Sequence, residues 1–243
     1  MALRGTISRR LRNMHNASRL LVRILSWFRL SQALLGGHRY YSQFEHQYCP
    51  EDFRACGEGT VICKGVCFLS TNRVTIGKCA YIAPGCYIHA GGGFHLGDYS
   101  GLGAGTTIIT IEHHHAGAES IPFGELRLVK PVYIEDYVWV GANVSILPGV
   151  RVGEGAILGL GSVVSRDVPA MAIVMGNPAQ VIGHRNQKAF EQLKAQGAAR
   201  SPAERSDKLW IPPLTRRKYA AILKEFGFDE QDYVAYKRGP GHD

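Results

Sequence analysis

The apolar positions of this chain keep a period of six. From Ile134 an aliphatic residue returns at Val140, Ile146, Val152, Leu158 and Val164, and four residues after each stands a small or β-branched side chain: Val138, Val144, Val150, Ala156, Ser162 and Val168. An α-helix would repeat near 3.6 residues and a half-buried strand near 2, so a sustained period of six predicts a stacked solenoid of hexads. Three hexads make one triangular coil, with the aliphatic pointing into the prism and the small residue beside a corner. Upstream, Ile76, Ile82 and Ile88 share the spacing; a slip of two residues then leads to Leu96, Leu102 and Ile108, with Ala80, Cys86, Ser100 and Thr106 in the small position. Gly77, Gly85, Gly97, Gly103, Gly141, Gly149, Gly153 and Gly159 fall at predicted corners, where positive φ or a close backbone approach favours glycine. Val140, Ile146, Val152 and Leu158 are the expected core.

Two stretches narrow the picture: PVYIEDYVWVG from Pro131 to Gly141, and VVSRDVPAMAIVMGNPAQVI from Val163 to Ile182. With them the chain resembles the left-handed parallel β-helix acyltransferases of the hexapeptide-repeat superfamily, and within these the maltose, galactoside, nodulation and xenobiotic acetyltransferase-like group. The left hand is implied by that resemblance, because a left-handed crossover breaks the usual rule for parallel strands. The expected organisation is an all-β, left-handed parallel β-helix over residues 60–183 with an excursion loop at 113–131. It is preceded by a basic helical segment over 1–59 and followed by a helical extension over 184–243.

Charge is distributed unevenly. The net charge is +8, and eight arginines, Arg4, Arg9, Arg10, Arg12, Arg19, Arg23, Arg29 and Arg39, precede the first acid, Glu45; the remaining 20 Lys and Arg balance 20 Asp and Glu. A body this neutral argues against a nucleic-acid groove. The apolar stretch 17–35 is interrupted by Arg19, Arg23 and Arg29, which disfavours a membrane-spanning helix. It suits a helix capping the end of the solenoid, a peripheral helix at an anionic membrane face, or an Arg-rich transit sequence. The six cysteines contain no C-x-x-C pair, so a zinc ribbon is not expected, and free thiols fit a cytoplasmic protein. After Gly183 the period ends. Residues 186–196 and 214–226 have helical composition, and Ala220, Ile222, Leu223 and Phe226 form a stripe expected to pack on the solenoid flank.

The chemistry is expected where the rhythm stops. Between Ile108 and Ile134 a loop leaves the scaffold, with His113, His114 and His115 at its mouth, and such loops commonly carry function. In the group this chain resembles, a catalytic histidine opens this excursion, which implies His113 as general base, with His115 as the second candidate. Moving an acetyl group from a thioester to a hydroxyl needs a group that takes the hydroxyl proton, and imidazole titrates in the right range. A solvated loop tip or an incidental metal-binding patch is the competing reading of the triplet. A γ-carbonic-anhydrase-like zinc site built from His89, His95 and the triplet is disfavoured because the triplet is contiguous; no metal is expected.

The resemblance also implies a binding track for acetyl-CoA. The backbone N–H of Ala142 would meet the thioester oxyanion. Trp139, Gly141, Gly159, Leu160 and Gly161 would line the pantetheine, with Trp139 equally suited to packing between subunits. Ser165 and Arg166 would meet the nucleotide phosphates, where the forked guanidinium suits phosphate; a solvated arginine beside Asp167 is the other reading. Relatives carry Arg where this chain has Gly183, so His184 or Arg185 is expected to replace it. His89, His95 and Glu112 are candidates for the acceptor, and the Gly-rich run from Ile88 to Gly97 suggests room for a bulky one. The implied activity is O-acetylation of a sugar in cell-surface polysaccharide or lipopolysaccharide synthesis, by a homotrimer. N-acetylation of an amino-sugar nucleotide and a non-catalytic β-helix scaffold are the alternatives.

Overall fold

The computed structural model of the protein describes residues 48–203 and 213–225. The basic N-terminal segment expected over 17–35 lies outside the described residues, as does Phe226. Short strands stack into three sheets, one on each face of a prism. The first face stacks Ala55–Cys56, Val74–Ile76, Phe94–Leu96, Val132–Ile134 and Arg151–Val152. Val61–Ile62, Tyr81–Ile82, Gly101–Leu102, Trp139–Val140, Ile157–Leu158 and Ala172–Gly176 make the second, closed by the antiparallel Ala179–His184. The third holds Cys67–Leu69, Tyr87–His89, Thr107–Ile109, Ser145–Ile146 and Val163–Val164. Within each face the coils pair in parallel, one above another.

The pairing turns the hexad into vertical columns. On the second face Ile62, Ile82, Leu102, Val140, Leu158 and Val174 are in register, and on the third Phe68, Ile88, Ile108, Ile146 and Val164. Val140, Ile146, Val152 and Leu158 are all buried, as the period predicts. Each such side chain removed from water contributes roughly 1.5–3 kcal/mol. The small-position hydroxyls are buried too, and they join coils. Ser100 Oγ donates to Glu135 O (2.7 Å) and accepts from Val138 N (2.9 Å); buried Thr110, outside the small position, ties coils in the same way, its Oγ1 donating to His89 O (2.8 Å) and accepting from Gly92 N (2.7 Å).

The coils differ at only one edge. From first face to second, and from second to third, the inward residues are always six apart, whereas from third to first the spacings are 8, 8, 26, 6 and 4 residues. The last of these corrects the sequence reading of Val168. A corner shortened to Ser165–Asp167 lets Val168 bridge to Val152 and fill the first-face column, where the hexad had made it a small corner residue. The eight predicted corner glycines divide by role. Gly85 and Gly149 adopt positive φ, while a Cβ on any of the other six would lie 2.4–3.0 Å from the next coil.

The C-terminal part returns along the edge between the first and second faces. There a stack of left-handed residues, Cys79, Tyr99, Tyr137 and Met171 among them, marks successive corners. Arg185 donates to Gly155 O (3.1 Å) and Tyr137 O (3.5 Å). The helix Gln187–Ala195, capped by the Asn186 side chain on Ala189 N, sets Phe190 edge-on to Tyr137 and Lys194 on Glu154. Further on, buried Ser201 donates to Cys79 O (3.1 Å), and Pro202 sits over Gly101, where a Cβ would be 3.1 Å away. The second helix, Pro213–Glu225, falls where composition predicts it, and of the expected stripe Ala220 and Ile222 are exposed while Leu223 is half-buried. Among the described residues no helix is long and apolar enough to cross a membrane.

Candidate active site

The 26-residue spacing at the third edge is the excursion itself. Lys130 N returns to Thr110 O (2.9 Å), closing its neck, and Ile111–His113 pairs antiparallel with Arg127–Val129. A two-stranded ribbon therefore lifts the histidines off the prism. His114 N donates to Leu126 O (3.0 Å), and Gly124 N returns to His114 O (2.8 Å), so the chain folds back on the triplet. The three histidines are not equivalent. The His113 ring stacks on Phe123 with centroids 3.9 Å apart, His114 is half-buried, and His115 is exposed where the ribbon ends. Sequence reasoning missed Phe123, because a lone aromatic in an aperiodic loop carries no pattern.

Glu112 forms an ion pair with Lys130 (2.7 Å) across the ribbon neck, a use the sequence did not suggest. Below lies the run from Ile88 to Gly97, and its glycines are not spare room. A Cβ at Gly92 would fall 2.0 Å from Thr110 O, and one at Gly91 would meet His89 and Ile111 at 3.0 and 3.1 Å. These glycines let the corner fit tightly under the ribbon. His89 packs at that corner, with its Nδ1 accepting from Gly91 N (3.4 Å). His95 stands apart on the first face, its ring stacked on Tyr133 at 4.1 Å, and the Arg151 guanidinium carbon lies over the Tyr133 ring, 4.9 Å from its centroid. These residues, with Glu135, Asp136 and Glu154, line a shallow depression of ≈ 290 Å³. Burial pushes the His95 imidazole below its ordinary value, partly opposed by Asp136 and Asp98.

The residues assigned to the thioester end collect on the edge between the second and third faces. Leu160 is 71% exposed there and Trp139, on the adjoining strand of the second face, 61%; Gly161 N donates to Ala142 O (2.9 Å), and a Cβ on Gly141 would strike Leu160 N at 2.7 Å. Gly159 and Gly161 complete the same ledge, and nothing stands within 4 Å of the Gly161 Cβ position. Among the described residues nothing accepts a hydrogen bond from Ala142 N. Ser165 and Arg166 are exposed at the third edge, across the third face from Gly161, about 13 Å at ~3.3 Å per residue of extended chain. Arg185, expected near the nucleotide, is instead engaged with carbonyl groups on the remaining edge. Among the described residues no cluster of metal-ligating side chains occurs.

One chain thus separates the two halves of the expected site. His113 rises from one edge of the third face and Ala142 lies at the other.

The fold is a three-faced parallel β-solenoid built on a hexad repeat. Residues 131–166 match the family model described as bacterial transferase hexapeptide (six repeats), and the chain carries that repeat. It is 34% identical over 116 residues to a Staphylococcus aureus (strain COL) protein provisionally named an acetyltransferase, covering 45% of this chain and 54% of that one. The chain thus spans about half the length of the curated relatives it first matches. A 2,3,4,5-tetrahydropyridine-2,6-dicarboxylate N-acetyltransferase of S. aureus (strain JH9) is 51% identical over 70 residues, 28% of this chain and 29% of that one. Among solved structures, a hexapeptide-repeat-containing acetyltransferase of Vibrio cholerae O1 biovar eltor, complexed with acetyl coenzyme A, aligns with TM-score 0.52 and 27% identity over 56% of this chain and 74% of that one.

Proposed function

We propose that the protein transfers an acetyl group from acetyl-CoA to a sugar hydroxyl, in a site shared between copies of the chain in a trimer. The observation that carries this reading is the division of one set of transferase groups between two edges of a single prism. A ribbon bearing His113 stands at one edge, and an unpartnered Ala142 N–H beside exposed Trp139 and Leu160 stands at the other. A cyclic assembly would bring the ribbon of one copy against the ledge of the next.

In this reading His113 takes the hydroxyl proton as the oxygen attacks the thioester carbonyl. Charge develops on the carbonyl oxygen, and Ala142 N–H donates to it. The tetrahedral intermediate collapses with release of the coenzyme A thiolate, which leaves an acetyl ester and no covalent enzyme intermediate. Trp139, Gly141, Gly159, Leu160 and Gly161 line the thioester arm, and Ser165 with Arg166 meets the phosphates. The sugar acceptor follows from the resemblance carried by residues 131–141 and 163–182. An amine acceptor is the second reading, favoured by the 51% identity to the N-acetyltransferase. It needs the same base and the same donor.

Thiol release from acetyl-CoA, measured over a panel of maltose, galactosides, glucosamine and amino-sugar nucleotides, separates the two. Transfer to hydroxyl acceptors alone supports the first reading, amino sugars alone the second, and no release with any of them counts against both. Replacing His113 by Ala is expected to lower turnover by about 10² to 10⁴, and His114→Ala to be mild. Loss of activity in His115→Ala with His113→Ala active would move the base by two residues.

A further inference from the structure

A general base has to be aimed, and the usual device is a hydrogen bond from its second ring nitrogen to a fixed acceptor. Among the described residues no side chain hydrogen-bonds either nitrogen of His113. The chain supplies a ring in its place. Phe123 lies with its centroid 3.9 Å from that of the imidazole and the two planes 28° apart, a stacked contact. That ring is itself fixed at its backbone. Ser120 Oγ donates to Phe123 O (2.8 Å), and the next residue, Gly124, is buried with its N–H on His114 O (2.8 Å). The far side of the loop is thus tied to the residue adjoining the base. A stacked face blocks rotation of the imidazole about its Cβ–Cγ bond and leaves both nitrogens, which lie in the ring plane, open at the edge.

We propose that Phe123 is the positioning residue of the base, setting the plane of His113 by stacking where a hydrogen-bonded carboxylate would ordinarily set it. This rests on the assignment of His113 as base. Phe123 touches no reacting atom, so its effect belongs in turnover and not in coenzyme binding. An aromatic pair contributes beyond the area it buries and favours particular ring geometries, so the contact selects one orientation.

The test uses the full chain and compares Phe123→Leu, Phe123→Tyr and His113→Ala. Thiol release from acetyl-CoA is followed with whichever sugar or amino-sugar nucleotide of the panel above turns over fastest. In parallel, the His113 ring protons are followed by NMR, where stacking on Phe123 shifts them upfield without any need for turnover. Expected for Phe123→Leu is a roughly tenfold loss of kcat, in keeping with the cost of misplacing a reacting group, with KM for acetyl-CoA unchanged and the upfield shift lost. Phe123→Tyr should restore both. Activity lost in His113→Ala but kept in Phe123→Leu overturns the positioning role alone. Activity kept in His113→Ala overturns the base assignment and this role with it, and unmoved His113 resonances in Phe123→Leu show that the rings do not stack in solution.

Discussion

Gly92 and Gly183 show how differently one residue type is used along this chain. A methyl group at Gly92 would overlap Thr110 O beneath the excursion, whereas nothing stands within 4 Å of the same position at Gly183. Gly92→Ala should therefore lower stability by more than about 2 kcal/mol, the scale of a forced shift in a packed interior, and Gly183→Ala should change it little; thermal melts of the two proteins check this. His95 gives a second prediction at this scale. Its folded imidazole is held below the ordinary 6.5, first by burial, so the unfolded chain binds more protons and stability must fall as pH drops through and below that value. Melting temperatures measured downward from neutral pH should show the fall, and His95→Gln should lose that part of it. Cys86 is a thiol of the opposite kind: burial pushes it up to about 11, as suits a core filler and not a nucleophile. Its small-position role was legible from spacing alone. The stack of Phe123 on His113 was not, because contact between a loop's two sides depends on how the loop folds back.

Among the elements, the inward columns were readable because the hexad places one aliphatic per face per turn. Reading failed where that code lapsed. The first coil, through Cys56, Ile62 and Phe68, has a cysteine in an aliphatic place and two additional residues before Ile76, so it does not announce itself. The C-terminal return was equally silent: Arg185, Ser201 and Pro202 belong to no period, and each is defined by the carbonyl or glycine it meets on a distant coil. The helices at 187–195 and 213–225 could be foreseen from composition. Arg185 is half-buried, and removing it leaves Gly155 O and Tyr137 O without that donor. Arg185→Ala should cost about 1–3 kcal/mol, read by chemical denaturation, while Arg185→Lys should recover part of the loss through one remaining cationic donor.

For the whole molecule, the separation of His113 from Ala142 makes assembly part of the proposed chemistry. Light scattering should give a trimer. Mixing His113→Ala with Leu160→Arg subunits, each inactive alone, should restore a fraction of the activity, because some interfaces would then pair an intact ribbon with an intact ledge. A fully active monomer would exclude the shared site. The edge between the third and first faces carries a wider consequence. Its spacings vary from 4 to 26 residues while the other two edges never leave six, so register is kept by two sides and the remaining one is free to lengthen. Such a scaffold behaves like a bobbin with a single open seam. New segments can be spliced into that seam coil by coil without rewinding the thread, so what the protein presents there can change while the core columns stay as they are.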